Sequence, residues 1–343
     1  MKLRITYGPW GESLAEMVEA GVAAEAAGAE VLWVPELHRS ATISAAALAQ
    51  ATSVAEIGTA IALAFTRSPM ITALEALDLD ELSAGRFILG LGTGVQRLNE
   101  KWHNARWGKP ASHLKETVRN IREFIAVSHT GEPMDLAGEY EPMNIRGYER
   151  PFVPFRPAIP IYLAAMGKGM TRLAGEVGDG WISHELGSPE YLEQQLLPSL
   201  REGMQLSGRI ASDFDIVVSA LCSIDSDGNK ARRWAAGTVG FYASVKTYEE
   251  FFEWHGLAPD QLRVLEEFRG GAGADYLADF VSDEMVGALT LAGNQKDVVK
   301  QLMRYDGLAT TVKLTPPTHG VKASETRKCQ EQIIEMIKGL VCR

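Results

Sequence analysis

Short apolar runs alternate with stretches of helical period along nearly the whole chain, and this alternation limits its fold more than any other feature. A run that is apolar on both faces reads as a strand covered on either side by helices, the pattern of a parallel sheet. Such runs fall at residues 3–7, 31–34, 59–65, 86–89, 161–165, 180–183, 215–221 and 310–314. Between them, Leu14, Met17, Val18, Gly21 and Val22 recur at helical spacing, and an Ala-rich helix is predicted from about Ser44 to Val54. Pro69 opens a helix carrying Met70, Leu74 and Leu77, and Leu114, Val118, Ile121 and Ile125 form a further stripe. Further helices are predicted over 170–177, from 189 to about 205 and near 297–304, and Ile333, Ile334, Ile337 and Leu340 mark a closing one. Eight strands interleaved with helices predict an α/β chain of the (β/α)8 TIM-barrel class, with a doubly wound open sheet as the alternative.

The 343 residues suffice for one barrel domain over 1–343 with two additions. One is a surface excursion at about 130–160, too apolar at Met134, Tyr140, Met143, Tyr148 and Phe152 for a simple linker. The other is a helical insertion at about 229–291, broken at Gly256 and at Gly270-Gly271. A net charge of -10 argues against a nucleic-acid binder, which would show a basic face. No apolar run is long enough to span a bilayer, and the first seven residues read as a strand rather than a signal peptide, so a cytoplasmic protein without membrane partners is expected. Cys222, Cys329 and Cys342 have neither metal-like spacing nor a paired framework and read as incidental thiols; no metal site is expected.

Barrel ligands bind where strands end, so the residues just after each strand form one pool of candidates. The fourth strand runs into Gly90-Leu91-Gly92-Thr93-Gly94, where glycines let the backbone approach a ligand and Thr93 adds a hydroxyl. After the fifth strand, Met166-Gly167-Lys168-Gly169 leads into a helix whose free N–H groups and positive dipole end suit a phosphate; a Gly-rich cap is the plain alternative. His38 and His184 follow the second and sixth strands and could exchange a proton, hydrogen-bond a cofactor or serve structure alone. Glu36 needs a partner if buried, either a ligand or a salt bridge. Arg97, Lys101, Arg106 and Lys109 put four positive charges in the loop after the fourth strand, as a solvated loop or as a seat for an anionic tail. Glu12 is a further candidate after the first strand, and Trp33, Phe65, Met166 and Trp181 could wall an apolar pocket, Trp33 equally belonging to the core.

Three stretches carry a family resemblance: Leu82-Ser83-Ala84-Gly85-Arg86-Phe87-Ile88-Leu89-Gly90-Leu91-Gly92-Thr93-Gly94; Leu98-Asn99-Glu100-Lys101-Trp102-His103; and Tyr162-Leu163-Ala164-Ala165-Met166-Gly167 through Leu173-Ala174-Gly175-Glu176-Val177-Gly178-Asp179-Gly180. The chain resembles the bacterial luciferase-like monooxygenase superfamily, nearest to its F420-dependent oxidoreductase branch. The resemblance implies a (β/α)8 barrel, a homodimer, and a flavin or deazaflavin at the C-terminal mouth. It implies that Glu36 contacts the deazaflavin ring, that Ala60 and Ile61 form a bulge with a non-prolyl cis peptide behind the ring, and that Thr93, Gly94 and Asn99 meet the ring and ribityl arm. Ala165, Met166, Gly167 and Lys168 match the phosphate loop. His38 and His184 are the catalytic candidates, although His38 lies one place beyond the family's frequent active-site histidine. Val95 stands where the sugar-phosphate dehydrogenase branch has a glutamate, so that branch's substrate is not implied. The implied chemistry is hydride transfer between C5 of coenzyme F420 and a small organic substrate. The alternatives are an FMN-dependent monooxygenase using reduced flavin and oxygen, and a barrel that binds a flavin without turnover.

Overall fold

The structure is a computed structural model that describes residues 3–341; Met1, Lys2, Cys342 and Arg343 lie outside the described residues. In chain order the strands are β1 Arg4–Tyr7, β2 Val31–Val34, β3 Glu56–Thr59, β4 Ala62–Leu63, β5 Phe87–Gly92, β6 Met134–Leu136, β7 Met143–Ile145, β8 Ile161–Ala164, β9 Gly180–Ile182, β10 Asp215–Ile224, β11 Leu291–Gly293 and β12 Thr311–Thr315. Eight parallel strands alternating with helices make this a (β/α)8 barrel, with β3 and β4 as two pieces of one barrel strand. The chain divides into two compact units. Unit one holds the residues up to Glu30, His184–Gln194 and those from Val217 onward; unit two holds Val31–Ser183 and Gln195–Ile216.

Within unit two the parallel order is β2-β3-β5-β8-β9, with β4 beside β5. Trp33 and Trp181, considered above as pocket walls, are both 0% exposed and belong to the core. The Trp33 ring occupies the space over Gly58, where a Cβ would stand 2.2 Å from it. Gly90 is held more tightly still. Its amide donates to the Thr59 hydroxyl at 2.9 Å, that hydroxyl donates back to the Gly90 carbonyl at 2.7 Å, and a Cβ on Gly90 would lie 1.8 Å from the Thr59 carbonyl oxygen. Within unit one the order is β11-β10-β12-β1, with Val312 opposite both Ile5 and Val218.

Several boundaries differ from expectation for local reasons. The third run starts at Glu56 and is interrupted after Thr59, at the cis Ala60–Ile61 peptide, before it resumes at Ala62. The helix predicted from Ser44 is Ala41–Ala51, since the Ser40 hydroxyl accepts from the Ile43 N–H and caps it earlier. The loop after β5 contains a π-helical turn, Leu98–Trp102, and the next helix starts at Pro110. The 229–291 segment is helical with breaks where expected, but it closes on β11, which pairs in parallel with β10.

The excursion is a β6–β7 hairpin fastened to helix Pro110–Val127. Glu116 accepts the N–H groups of Glu139, Tyr140 and Glu141 at 2.9–3.0 Å. Burial pushes its carboxyl up, but those three donors outweigh burial and hold it below the usual carboxylate range. His113 bridges the Trp107 carbonyl and the Glu141 carboxylate, and its ring is sandwiched between Phe65 and Tyr140. Phe65 is therefore spent on this stack rather than on an open wall. Cys222 and Cys329 are buried free thiols. No helix among the described residues is long and apolar enough to cross a membrane.

Candidate functional site

In unit two, most of the candidate residues come together at the ends of β2, β4, β5 and β8. The Ala60 N–H donates to Val34, the Glu36 N–H to Ile61 and the Ala64 N–H to Gly92, so the bulge stitches three strands together. A Cβ on Gly92 would meet Ile61 at 2.8 Å and Ala164 at 3.5 Å, and one on Gly94 would meet Leu63 at 2.7 Å. Gly94 has φ +63°, which favours glycine, and turns the chain out of β5 into the exposed residues Val95, Gln96 and Arg97. Asn99 then folds back, fully buried, its amide donating to the Thr93 and Val95 carbonyls at 2.7 and 3.1 Å. Its Oδ1 is buried and has no hydrogen-bond partner among the described residues.

The Glu36 carboxylate is engaged within the protein. It accepts from the Leu63 N–H at 2.8 Å and from both terminal nitrogens of Arg67, one of them at 2.9 Å; Arg67 also reaches Glu75 at 3.4 Å. Burial alone would raise its pKa, yet the Arg67 guanidinium and the Leu63 N–H hold it below the usual range. Of its two sequence readings, the salt bridge is present. Arg67 follows β4 in the chain.

The turn after β8 leaves its backbone open. Gly167 precedes helix Lys168–Val177 without any side-chain cap, whereas Ser13, Ser40 and Ser68 each cap a helix with a hydroxyl. Gly167, Lys168 and Gly169 are exposed, and a Cβ on either glycine would meet nothing within 4 Å. Ala165 is tied down by the Trp181 indole N–H, which donates to its carbonyl at 3.0 Å. Uncapped N–H groups over open space and an unsatisfied buried amide oxygen at Asn99 both fit a flavin or deazaflavin with a phosphorylated arm. His38 is an exposed bend residue, and Met166 is half-buried. Arg97, Lys101 and Lys109 are exposed, while Arg106 donates to the Glu139 carbonyl at 2.9 Å and lies over the Tyr140 ring.

His184 belongs to unit one and sits in a polar cluster there. Its ring packs against Tyr242 and Tyr248, at 4.5 and 4.9 Å between centroids, and its Nδ1 accepts from the Leu186 N–H at 3.3 Å. Glu185 accepts from the Tyr242 hydroxyl at 3.4 Å and faces Lys313 at 3.6 Å. Burial pushes His184 down to about 4; the Glu185 charge opposes this and the Lys313 charge adds to it. Burial, then the Glu185 charge, raises Tyr248 to about 12 and Tyr242 well above its ordinary value. Because the folded pKa of His184 lies below the ordinary histidine value of 6.5, the unfolded chain binds that proton first as the pH falls. Its contribution to stability is complete above pH 6.5 and is lost between pH 6.5 and about 4. The expected NMR result is a His184 ring resonance that stays in the neutral form through pH 6 and moves only near pH 4, a midpoint near 6.5 being the contrary result. Glu12 pairs with Arg327. Among the described residues, no three His, Cys, Asp or Glu side chains group as metal ligands.

The luciferase-like monooxygenase family matches residues 3–311. The chain belongs to this family. An uncharacterized protein of Mycobacterium tuberculosis is 32% identical over 82% of this chain and 83% of its own length. The 5,10-methylenetetrahydromethanopterin reductase of Archaeoglobus fulgidus is 28% identical over 81% of this chain and 82% of its own. Among solved structures, a coenzyme F420 dependent tetrahydromethanopterin reductase from Methanopyrus kandleri superposes with a TM-score of 0.82 at 22% identity, over 97% of this chain and 98% of that one. A type II Baeyer-Villiger monooxygenase of Pseudomonas putida, in complex with FMN, gives 0.68 at 16% identity over 99% and 98%. At those identities the two structures establish the shared barrel fold. The curated relatives thus include a named reductase, and the solved structures that share the fold include an F420-dependent reductase and an FMN-bound monooxygenase.

Proposed function

We propose that this member of the family is an F420-dependent oxidoreductase that transfers a hydride between C5 of F420 and a small organic substrate. The observation that carries the reading is the pairing of the open Gly167–Lys168–Gly169 turn with the buried, unsatisfied Asn99 Oδ1, in a chain whose relatives include two named reductases. The turn's N–H groups and Lys168 would hold the phosphate, Asn99 and the Thr93–Gly94 backbone the ring and ribityl arm, and the bulge at Ala60 and Ile61 would back the ring. When bound, the deazaflavin supplies or takes the hydride; the protein's part is to fix its face and keep water out. The exposed cations Arg97, Lys101 and Lys109 suit the acidic tail of F420, which FMN lacks.

The test is fluorescence titration of the purified chain with F420 and, separately, with FMN. F420 is expected to bind, with an affinity that falls as salt rises and drops several-fold in an Arg97→Ala, Lys101→Ala double variant, because exposed charge pairs are screened. Arg106→Ala is expected to do less, since Arg106 is already held by the hairpin. Tight FMN binding with no F420 response would reverse the cofactor assignment. F420 binding without oxidation of the reduced cofactor by any member of a panel of enones, ketones and imines would favour a binder without turnover.

A further inference from the structure

Both ring nitrogens of the buried His113 are engaged, and both partners are acceptors. Nδ1 stands 3.0 Å from the Trp107 carbonyl oxygen, and Nε2 stands 2.7 Å from Oε1 of the Glu141 carboxylate. A neutral imidazole has a single N–H, so it satisfies one acceptor and aims a lone pair at the other. Both contacts close when the ring carries two protons. Its surroundings suit that charge, because the ring lies between the faces of Phe65, at 3.8 Å, and Tyr140, at 5.0 Å, where π electrons attract a cation. The Glu141 side chain is 21% exposed against 2% for the ring, so the carboxylate keeps contact with water and remains the anion. The other charges brought near by the packed elements are Arg106 and Lys109 on the loop and Glu116 on the ring's own helix. The segment after β4 presents the uncharged Phe65, and Arg67, two residues on, is paired with Glu36.

The same hairpin turn grips the far end of the loop that leaves β5. The Glu139 carbonyl accepts from Arg106, the Tyr140 ring fills the space over Gly108, where a Cβ would stand 2.1 Å from it, and the Tyr140 hydroxyl accepts from the Lys109 N–H at 3.3 Å. Further back in the loop, the Ala105 N–H donates to the Asn99 carbonyl at 2.9 Å. We propose that His113 and Glu141, together holding one proton more than a neutral ring beside a carboxylate, are positioning residues for the cofactor loop, so that loss of this proton weakens F420 binding. This rests on the reading of the chain as an F420-dependent oxidoreductase. When the proton leaves Nε2 for solvent, its electron pair stays on the ring and faces an anionic oxygen 2.7 Å away. The two repel, the turn withdraws from His113, and Arg106 to Lys109 lose their anchor. The loop that carries Asn99, Arg97 and Lys101 must then be ordered as the cofactor binds, and that ordering costs affinity.

The experiment measures F420 affinity of the full-length chain by equilibrium dialysis from pH 6 to pH 9 at constant ionic strength. Wild-type affinity is expected to fall several-fold over that range, which Lys and Arg cross with their charges unchanged. Glu141→Gln puts a carboxamide beside Nε2 that can donate to it, so the neutral ring is satisfied and the wild type's fall with pH should disappear. The cofactor's own ionisations act on both proteins alike, so the ratio of their affinities at each pH isolates the pair. Nitrogen-15 NMR of histidine-labelled protein supplies a readout that a merely structural role would not move. At pH 6 the wild-type His113 signals, assigned by their loss in His113→Gln, should show two protonated ring nitrogens, and at pH 9 one. An affinity ratio that stays constant with pH overturns the proposal, as does a wild-type His113 ring with one bare nitrogen at pH 6. If Glu141→Gln does not fold, His113→Gln takes its place in the dialysis, and the wild type's pH dependence persisting there overturns the proposal. Failure of the wild type to bind F420 at any pH removes the underlying reading instead, whereas binding with a constant ratio leaves that reading standing.

Discussion

A Gly90→Ala variant is expected to lose about 3 kcal/mol of stability or more, at the upper end of what overpacking costs. The new methyl would stand 1.8 Å from the Thr59 carbonyl oxygen, and that atom is backbone, so no rotamer change relieves the clash. Moving β5 away from β3 would also break the two-way hydrogen bond between Thr59 and Gly90, leaving a buried hydroxyl and amide without partners. Gly167→Ala is the control. Its φ of -93° suits any residue and its Cβ meets nothing within 4 Å, so stability is expected to stay within about 0.5 kcal/mol while cofactor affinity falls. Thermal and urea unfolding of the two variants side by side test the pair, and equal losses would contradict the packing described for β5.

Arg67→Met is expected to cost roughly 2–4 kcal/mol, because it strands the Glu36 carboxylate, 11% exposed, without a counter-charge, leaving it only backbone donors such as the Leu63 and Ala41 N–H groups. Glu75 loses the same partner; its carboxyl is already raised by burial, against the opposing pull of Arg67. The pH dependence should change sign. In the wild type the lowered Glu36 contributes stability above pH 4.5 that is lost as the pH falls through its folded value. In the variant Glu36 rises above 4.5, so acidification should recover stability. Adding Glu36→Gln to Arg67→Met should restore much of the loss at neutral pH. Urea titrations at neutral and mildly acidic pH measure both effects, and a double variant as unstable as the single would show that the pair is not what Arg67 supports.

The barrel strands were legible because nearly every strand residue is buried on both faces, which leaves a continuous apolar run in the sequence. The break in the third strand was not legible from its own residues, since Ala60 and Ile61 are as apolar as their neighbours and a peptide isomer has no side-chain signature; only the resemblance placed it. β11, three residues long, is too short to set up any period. The partners of the candidate residues were hidden for another reason. Arg67 lies 31 positions from Glu36, and Lys313 lies far along the chain from Glu185, so no local spacing connects either pair. One signal was nevertheless available: Lys313 is a single cation inside Thr311-Val312-Lys313-Leu314, and a charge in an otherwise apolar barrel strand asks for a ligand or a counter-ion.

The three amides gathered on Glu116, together with the clasp of Glu141 and Trp107 on His113, bind the hairpin to one helix at many points. The segment from Trp107 through Ile145 is thereby a cassette whose shape is set by its own helix, so relatives could lengthen, shorten or exchange its β6–β7 tip without disturbing the strands beneath. Changes at the tip are thus mechanically separated from the barrel strands, and the whole cassette, rather than single residues of it, is the natural unit for redesigning this face.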